Sequence, residues 1–215
     1  MSMPEEMTIQ CPECGKTSEV TVFQSINDSW PSAVEKILSG ELFAFICPHC
    51  GREDHLEYDI LFNDFGHQAW IQVVHEEELI PTYEKIMDVN ANYMEGVRFR
   101  IVHNTYELRE KVLAFSLGRD DRIIELCKCF VAEMARKEMP DFKLSWAPVY
   151  THNPETGQEA FLLFVENGEE KIAVIDDLLY DAVEQTYQKY HDRDHSKYVY
   201  DYAWAEALVF NTGTE

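Results

Sequence analysis

The sequence predicts an α+β fold, in which an N-terminal unit of short strands and cysteine-bearing turns, with a short inserted helix, precedes strands covered by helices. Three observations support this prediction. Two Cys-Pro-x-Cys-Gly segments, at residues 11–15 and 47–51, each stand between runs of strand-forming residues. In the later segments, apolar residues recur at every second position in some stretches, as in strands, and at helical spacing in others. Strands and helices do not follow each other regularly, which favours α+β over a parallel βαβ sheet.

The two cysteine segments carry the clearest chemical signal in the chain. Four cysteines fill equivalent places in them: Cys11, Cys14, Cys47 and Cys50. In each segment the two intervening residues let both sulfurs point at one centre, while proline restricts the turn and glycine lets the chain reverse. Four thiolates are the ligand set of a tetrahedral structural zinc, and a cation, Lys16 or Arg52, follows each segment. We therefore expect one structural Zn²⁺ per chain in a zinc-ribbon-like unit.

Two other chemistries remain open for these cysteines. A redox dithiol also uses Cys-x-x-Cys, but it is typical of a βαβ context and does not require two copies. Disulfide pairing requires an oxidising compartment, which nothing in the sequence indicates. A catalytic zinc is less favoured than a structural one, because four thiolates leave no coordination position for water.

The metal-bearing unit is expected to span about residues 7–62. Its expected elements are strands at 8–10, 20–23, 43–46 and 56–62 and a helix at 31–38. The 32 residues between Cys14 and Cys47 leave room for that helix, and Gly40 is placed to end it. Both halves of the unit therefore follow the order strand, turn, strand.

The middle of the chain is expected to add two strands and a short helix. Residues 68–74 favour a mostly buried strand. The acidic residues 76–78 suit the solvated start of a short helix at about 82–87. Basic and apolar residues alternate over 97–102, which predicts a half-buried strand.

Two helices are expected next. Asn104 and Glu107 resemble a capping box that opens the first helix. The second helix begins at Asp120 or Asp121 and runs to about Arg136. Its apolar face at helical spacing comprises Ile123, Ile124, Cys127, Val131 and Met134.

Cys127 and Cys129 do not form a third metal-binding pair. Residues two apart on a helix point to nearly opposite sides, so these sulfurs cannot share an ion. We expect Cys127 to be a small core residue and Cys129 to be a free thiol at the surface.

The last third of the chain is expected to form strands and two helices. A proline-containing boundary at residues 139–141 divides residues 1–138 from a C-terminal α+β segment, residues 139–215, to which the sequence assigns no role. Asn167-Gly168 predicts a hairpin turn. The expected elements are strands at 143–150, 160–165 and 171–175 and helices at 178–190 and 200–210.

Charge and hydrophobicity disfavour several classes of function. The formal net charge is −22 at pH 7, with 40 acidic and 18 basic residues, which disfavours nucleic acid as a partner. The N-terminus lacks the apolar core of a signal peptide, and no apolar run is long enough to span a bilayer. We therefore expect a cytoplasmic protein without membrane contact, in a compartment where cysteine stays reduced.

The paired Cys-Pro-x-Cys segments, with the strand and the helix pair that follow, are similar to the CpXC domain family of bacteria and archaea. The likeness rests on the four cysteines, on Pro12, on residues 98–102 and 107–111, and on Asp120-Asp121. It covers roughly the first two thirds of the chain. The family is described by its cysteines, so the resemblance implies a metal site and supplies no reaction.

Two functions without catalysis are compatible with this sequence. The first is an interaction or adaptor module for an unknown protein partner, because a closed metal site and an acidic surface accompany no recognisable catalytic motif. The second is a nucleic-acid-associated zinc ribbon, which the acidity disfavours. The oligomeric state is not predicted.

The third possibility is an enzyme with an unrecognised active site. The residues that would build it are His103, Asp120 and Asp121, or a C-terminal cluster of His191, Asp192, Asp194 and His195. Two histidines and two aspartates within five residues have the chemistry for acid–base work or for a second metal. Simpler interpretations are a helix cap for Asp120-Asp121 and a polar loop for the cluster.

Overall fold

The computed structural model describes residues 2–139, 141–189 and 194–210. Its strands and helices confirm the α+β fold class. The chain divides into two compact units, Met1–Val112 and Leu113–Glu215. The domain boundary expected at residues 138/139 stays a prediction, and Pro140 lies outside the described residues. Among those residues, no helix combines the length and the apolarity needed to cross a membrane.

The first unit is built around a five-stranded mixed sheet. Its elements in chain order are β1 (Met3–Gln10), β2 (Thr17–Asn27), α1 (Ala33–Ser39), β3 (Ala44–Ile46), β4 (Glu53–His55), β5 (Leu61–Asp64), β6 (Ala69–Val73), α2 (Ile80–Ala91), β7 (Arg98–Val102) and α3 (Thr105–Ser116), which continues past Val112. The strand order is β1-β2-β5-β6-β7, with parallel pairing of β2 with β5 and of β6 with β7. Strands β3 and β4 form a separate hairpin. Both cysteine turns therefore lie in antiparallel hairpins, β1–β2 and β3–β4.

The inserted helix is present as α1, and it ends where the sequence predicts. The backbone N–H of Gly40 donates to the carbonyl of Ile37 at 3.1 Å and closes the last turn. The acidic run contributes a 3₁₀ turn at Glu77–Leu79. The helix after it, α2, is longer than expected.

Strand β7 departs from the predicted half-buried pattern. Residues Phe99–Val102 are all buried, including Arg100, although alternation predicted an exposed basic side. The Arg100 guanidinium donates to the Phe99 carbonyl at 2.8 Å, and that of Arg98 donates to the His67 carbonyl at 2.8 Å. Hydrogen bonds of this kind let an arginine lie inside a protein, and a residue pattern does not reveal them.

The first turn of α3 confirms the capping prediction. The backbone N–H of Glu107 donates to Asn104 Oδ1 at 2.9 Å. In return the Glu107 carboxylate accepts from the backbone N–H of His103 at 2.8 Å and from the Asn104 amide at 3.0 Å. The helix buries Leu108 and Val112, which lie four residues apart on one face.

The second unit packs helices on one face of a three-stranded antiparallel sheet. Its elements are α4 (Asp121–Glu138), β8 (Val149–His152), β9 (Glu159–Phe164), β10 (Glu170–Ile175), α5 (Asp177–Tyr187) and α6 (Tyr202–Phe210). The strand order is β10-β9-β8. At the predicted hairpin turn, Asn167 Oδ1 accepts from the backbone N–H of Glu169 at 2.9 Å. Asp120 caps α4 by accepting from the backbone N–H of Arg122 at 2.9 Å.

Helix α4 is buried on more sides than its apolar stripe predicts. Cys129, expected at the surface, is 0% exposed, whereas Met134, expected in the core, is 54% exposed. Helix α6 covers the Cys129 side, where the thiol lies 3.9 Å from the Tyr202 carbonyl. Lys128 and Glu125 are also buried on this helix, where they form an ion pair at 3.0 Å. A second layer of helix on α4 explains why the surface prediction for Cys129 is wrong.

The burial of Cys127 and Cys129 makes a testable prediction. Burial raises the pKa of Cys127 to about 12 and also raises the pKa of Cys129, so neither thiol forms the reactive thiolate near neutral pH. We expect iodoacetamide at pH 7.5 to label neither residue in the folded chain and to label both in guanidinium, as measured by peptide mass mapping. Labelling of the same two peptides in guanidinium serves as the positive control. Fast labelling of Cys129 in the folded chain would contradict its position under α6.

Candidate metal centre

The two cysteine turns have the same place in their hairpins. Gln10 pairs with Thr17 at the end of β1–β2, and Ile46 pairs with Glu53 at the end of β3–β4. In both hairpins the strand before the turn ends one residue before the first cysteine. The following strand begins three residues after the second cysteine. The order strand, turn, strand predicted for both halves is therefore a repeated local structure, although the strand after the second turn lies at Glu53–His55 rather than at residues 56–62.

The backbone hydrogen bonds of the two turns are also the same. They are Cys11 N to Lys16 O (2.9 Å), Gly15 N to Cys11 O (2.9 Å), Cys47 N to Arg52 O (2.8 Å) and Gly51 N to Cys47 O (2.9 Å). Gly15 and Gly51 have φ values of 69° and 76°, in the left-handed region that favours glycine. This geometry explains why a glycine follows each second cysteine.

The four sulfur atoms converge on one point. The ligand atoms of Cys11, Cys14, Cys47 and Cys50 all lie within 4.8 Å of one another. The Cys11–Cys50 and Cys14–Cys47 sulfur pairs are each 3.7 Å apart. A tetrahedron with metal–sulfur distances of about 2.3 Å has sulfur–sulfur edges of about 3.8 Å. A disulfide needs about 2.0 Å, and all four thiols are free. The donor set therefore fits a tetrahedrally coordinated metal ion.

The first cysteine of each turn is buried and the second is more open. Cys11 and Cys47 are almost inaccessible, Cys14 is half-buried and Cys50 is exposed. Phe45 forms a small buried cluster with Cys11 and Cys47. Partly buried apolar side chains pack against this cluster: Ile9, Val20 and Leu56. One side of the centre thus faces an apolar wall, and the other faces solvent.

The electrostatics of the four thiols favours a bound cation. The backbone N–H of His49 lowers the pKa of Cys47 to about 6. At Cys50 the backbone N–H of Arg52 acts in the same direction, but burial and the neighbouring cysteine sulfurs outweigh it and raise the pKa to about 12. Like charges this close oppose one another, so one thiolate forms easily and the last does not. A divalent cation would remove that opposition.

Polar contacts connect the two turns as well. Arg52 reaches Glu13 of the first turn at 3.4 Å and Asp54 of its own hairpin at 3.3 Å. His49 of the second turn lies 3.4 Å from the Thr17 carbonyl. These pairs are exposed, so each contributes little to stability.

A second polar cluster in this unit was not predicted from sequence. His75 contacts Asp59 through Nδ1 at 2.8 Å and Glu57 through Nε2 at 2.9 Å. Glu57 also accepts from the Thr105 backbone N–H at 3.0 Å and from its hydroxyl at 2.7 Å. His55 Nε2 lies 2.6 Å from the same hydroxyl and 3.2 Å from Glu57. Because Thr105 is the first residue of α3, the Glu57 carboxylate caps that helix.

This cluster shifts two pKa values in opposite directions. Burial opposes the shift of Glu57, but hydrogen bonds from His75 and Thr105 lower the pKa of its carboxyl. Burial likewise opposes the shift of His75, but Glu57 and Asp59 raise the pKa of its imidazole. The residues that form these hydrogen bonds lie 16 to 48 positions apart in the chain, so no local sequence pattern predicts the cluster.

The residues considered for an enzyme have structural contacts where they are described. His103 belongs to the first unit, where its backbone joins the α3 cap. Asp120 caps α4 and pairs with Arg122 at 2.6 Å, and Asp121 is buried. These aspartates belong to the second unit.

The C-terminal cluster is described only in part, because His191, Asp192 and Arg193 lie outside the described residues. Asp194 accepts from the Tyr187 hydroxyl at 2.8 Å and from the Trp204 indole at 3.0 Å. His195 is exposed. The Asp194 carboxylate thus joins the end of α5 to α6 in the described part of this cluster.

Comparison with known proteins yields one match. A family model described as CpXC protein matches residues 9–128, more than half of the chain, and this range includes all four cysteines. No curated protein and no solved structure matches the chain.

The polar cluster predicts a pH-dependent effect of Glu57→Gln. The lowered pKa of Glu57 stabilises the fold above the unfolded value of about 4.3, and this contribution is lost as pH falls. The raised pKa of His75 stabilises the fold below about 6.5, and this contribution is lost as pH rises. We expect the variant to lose about 1 to 2 kcal/mol of unfolding free energy between about pH 4.5 and 6.5, and less on either side.

Chemical denaturation at a series of pH values measures this effect. Glu78→Gln removes an exposed carboxylate in the turn before α2 and is the matched control. A loss in Glu57→Gln that does not vary with pH would contradict the charge coupling between Glu57 and His75.

Proposed function

The chain belongs to the CpXC family, and we propose that it is a zinc-binding protein whose four cysteines hold one structural Zn²⁺. One observation carries this proposal: the four sulfurs lie within 4.8 Å of one another, and two of their separations are 3.7 Å, close to the edge of a zinc–thiolate tetrahedron. When bound, the ion would neutralise thiolate charge and link the two hairpins. Cys11, Cys14, Cys47 and Cys50 would be its ligands.

The donor set supports a structural rather than a catalytic role. Four thiolates fill the tetrahedral shell and leave no position for water or substrate. Sulfur ligands in this geometry are typical of zinc and of iron, so the identity of the metal requires a direct measurement. Zinc is proposed because two Cys-x-x-Cys turns on short hairpins form the ligand arrangement of structural zinc ribbons.

The proposed biological role is an interaction or adaptor module for a protein partner. A closed metal centre supports a rigid surface rather than a reaction, and the tips of both turns are exposed at Pro12-Glu13 and Pro48-His49. The net charge of −22 favours a basic partner surface over nucleic acid or an anionic membrane. A cytoplasmic location, where thiols stay reduced, fits this role.

Elemental analysis of the purified chain tests the metal. We expect about one zinc per chain, and we expect Cys11→Ser and Cys47→Ser each to lose zinc and to melt at lower temperature. Both variants should fail together, because each turn supplies half of one shell. Cys127→Ser is the matched control, since it changes a buried thiol outside the centre and should keep zinc.

Other results would replace this proposal. Iron in place of zinc would contradict the structural zinc site and assign an iron–thiolate centre to the four cysteines. An absence of metal, with thiols that cycle between dithiol and disulfide, would favour the redox interpretation. Loss of zinc in Cys11→Ser but not in Cys47→Ser would show that the two turns do not share one ion.

A further inference from the structure

In the three-stranded sheet of the second unit, β10 has two large apolar side chains exposed on one face, Ile172 and Val174. The other face of the sheet buries Tyr150, Phe161 and Ile175 against the helices. On the open face, Ile172 of β10 pairs with Leu162 of β9. Ile172 is 69% exposed and is one of the residues that line a groove of about 480 Å³ on this side of the sheet. Exposed apolar side chains beside a groove are a candidate binding surface.

Strand β10 also forms a free edge. Within the described residues it pairs only with β9, and its outer side carries no strand. Val174 lies two residues after Ile172 on the same face and is 51% exposed. An edge strand presents its backbone N–H and C=O groups to an incoming strand, while alternate side chains contact the incoming side chains.

Acidic residues flank this edge at both ends. Glu169 and Glu170 precede its apolar positions, and Asp176 and Asp177 follow them. Lys171 pairs with Glu169 at 3.2 Å, and Arg119 pairs with Asp177 at 2.7 Å. Four carboxylates against two cations leave a net negative charge around the two exposed apolar side chains.

The charge pattern identifies the class of occupant. If a second copy of this chain paired antiparallel with β10, the Glu169-Glu170 end of each strand would face the Asp176-Asp177 end of the other. That arrangement places like charges opposite each other and opposes self-association. A strand with apolar residues at alternate positions and basic residues near both ends complements the edge in either direction.

We propose that the open face and free edge of β10 bind an extended basic segment of a partner protein, which adds as a fourth strand. Its alternate apolar side chains cover Ile172 and Val174, and its basic ends lie near the acidic residues. This site lies in the second unit, apart from the four cysteines, and does not depend on bound metal.

A defined probe tests the proposal on the full chain. The probe is the labelled, blocked peptide Lys-Lys-Val-Thr-Val-Thr-Val-Lys-Lys, and fluorescence anisotropy measures its Kd. We expect Val174→Glu to weaken binding about tenfold through lost apolar contact. Because this substitution adds negative charge, simple attraction of a basic peptide would instead grow stronger. Val89→Glu, at a valine 59% exposed on α2, is the matched control and should bind as the unchanged chain does.

Peptides N-methylated at alternate residues test strand addition itself. In a paired strand, only every second residue directs its N–H and C=O toward the neighbour. We expect methylation of one residue set to abolish binding and methylation of the other set to preserve it.

Four results would overturn the proposal. They are no binding of the probe, equal weakening by Val174→Glu and Val89→Glu, equal tolerance of both methylated peptides, and a dimer in light scattering that Val174→Glu dissolves. The last result would assign the edge to a second copy of the chain. The zinc content of the same samples is measured in parallel, so that failure of peptide binding can be distinguished from failure of the metal proposal.

Discussion

The convergence of four sulfur atoms within 4.8 Å is the constraint on which the N-terminal hairpins depend. Four thiolates at this separation would repel one another, and the neighbouring sulfurs help to raise the pKa of Cys50 to about 12, so a cation at the centre would stabilise the arrangement. Apolar burial contributes little stability beside the four sulfurs, because the core cluster there has three buried members and two of them are Cys11 and Cys47. So small a number of buried side chains does not offset the conformational entropy that is lost when two hairpins become ordered. A bound metal ion would supply the missing free energy and would also restrain how the hairpins face each other.

The hairpin that carries the second turn is fixed at two points. Strand β4 has three residues, Glu53–His55, and it begins shortly after Cys50. At its other end, His55 contacts Glu57 and the Thr105 hydroxyl, and Glu57 caps α3. The metal centre and the polar cluster therefore act on the same short element. A bound ion would hold the hairpin to its counterpart, and the cluster holds it to the start of α3. Neither contact is large, but both restrict a segment that has few buried apolar residues of its own.

The features that could be predicted from sequence are those set by neighbouring residues. A cysteine turn is defined by five consecutive residues, and its glycine has the positive φ that the reversal requires. The cap of α3 uses Asn104 and Glu107, three residues apart, and the last hairpin uses Asn167 at its turn. Two equal turns also imply a shared centre, since half a tetrahedral shell is incomplete. The convergence of the four cysteines and the fold class follow from this local information, so the N-terminal cysteine unit can be located from sequence.

The features that escaped prediction depend on contacts between distant segments. Cys129 is buried because α6, more than seventy residues later, lies over it, and Glu57 meets Thr105 across 48 positions. The periodicity of apolar residues assigns one buried face to a helix or strand. The prediction of burial is therefore wrong where both faces are buried, as on α4 and β7. On β10 the apolar side chains are more exposed than the pattern indicates. The sequence predicts this strand but does not show that it lies at the edge of its sheet. Which strand ends a sheet is a property of topology, and only the strand order shows that Ile172 and Val174 remain uncovered. The local pattern thus locates the four cysteines, whereas only the three-dimensional arrangement reveals the exposed edge of β10.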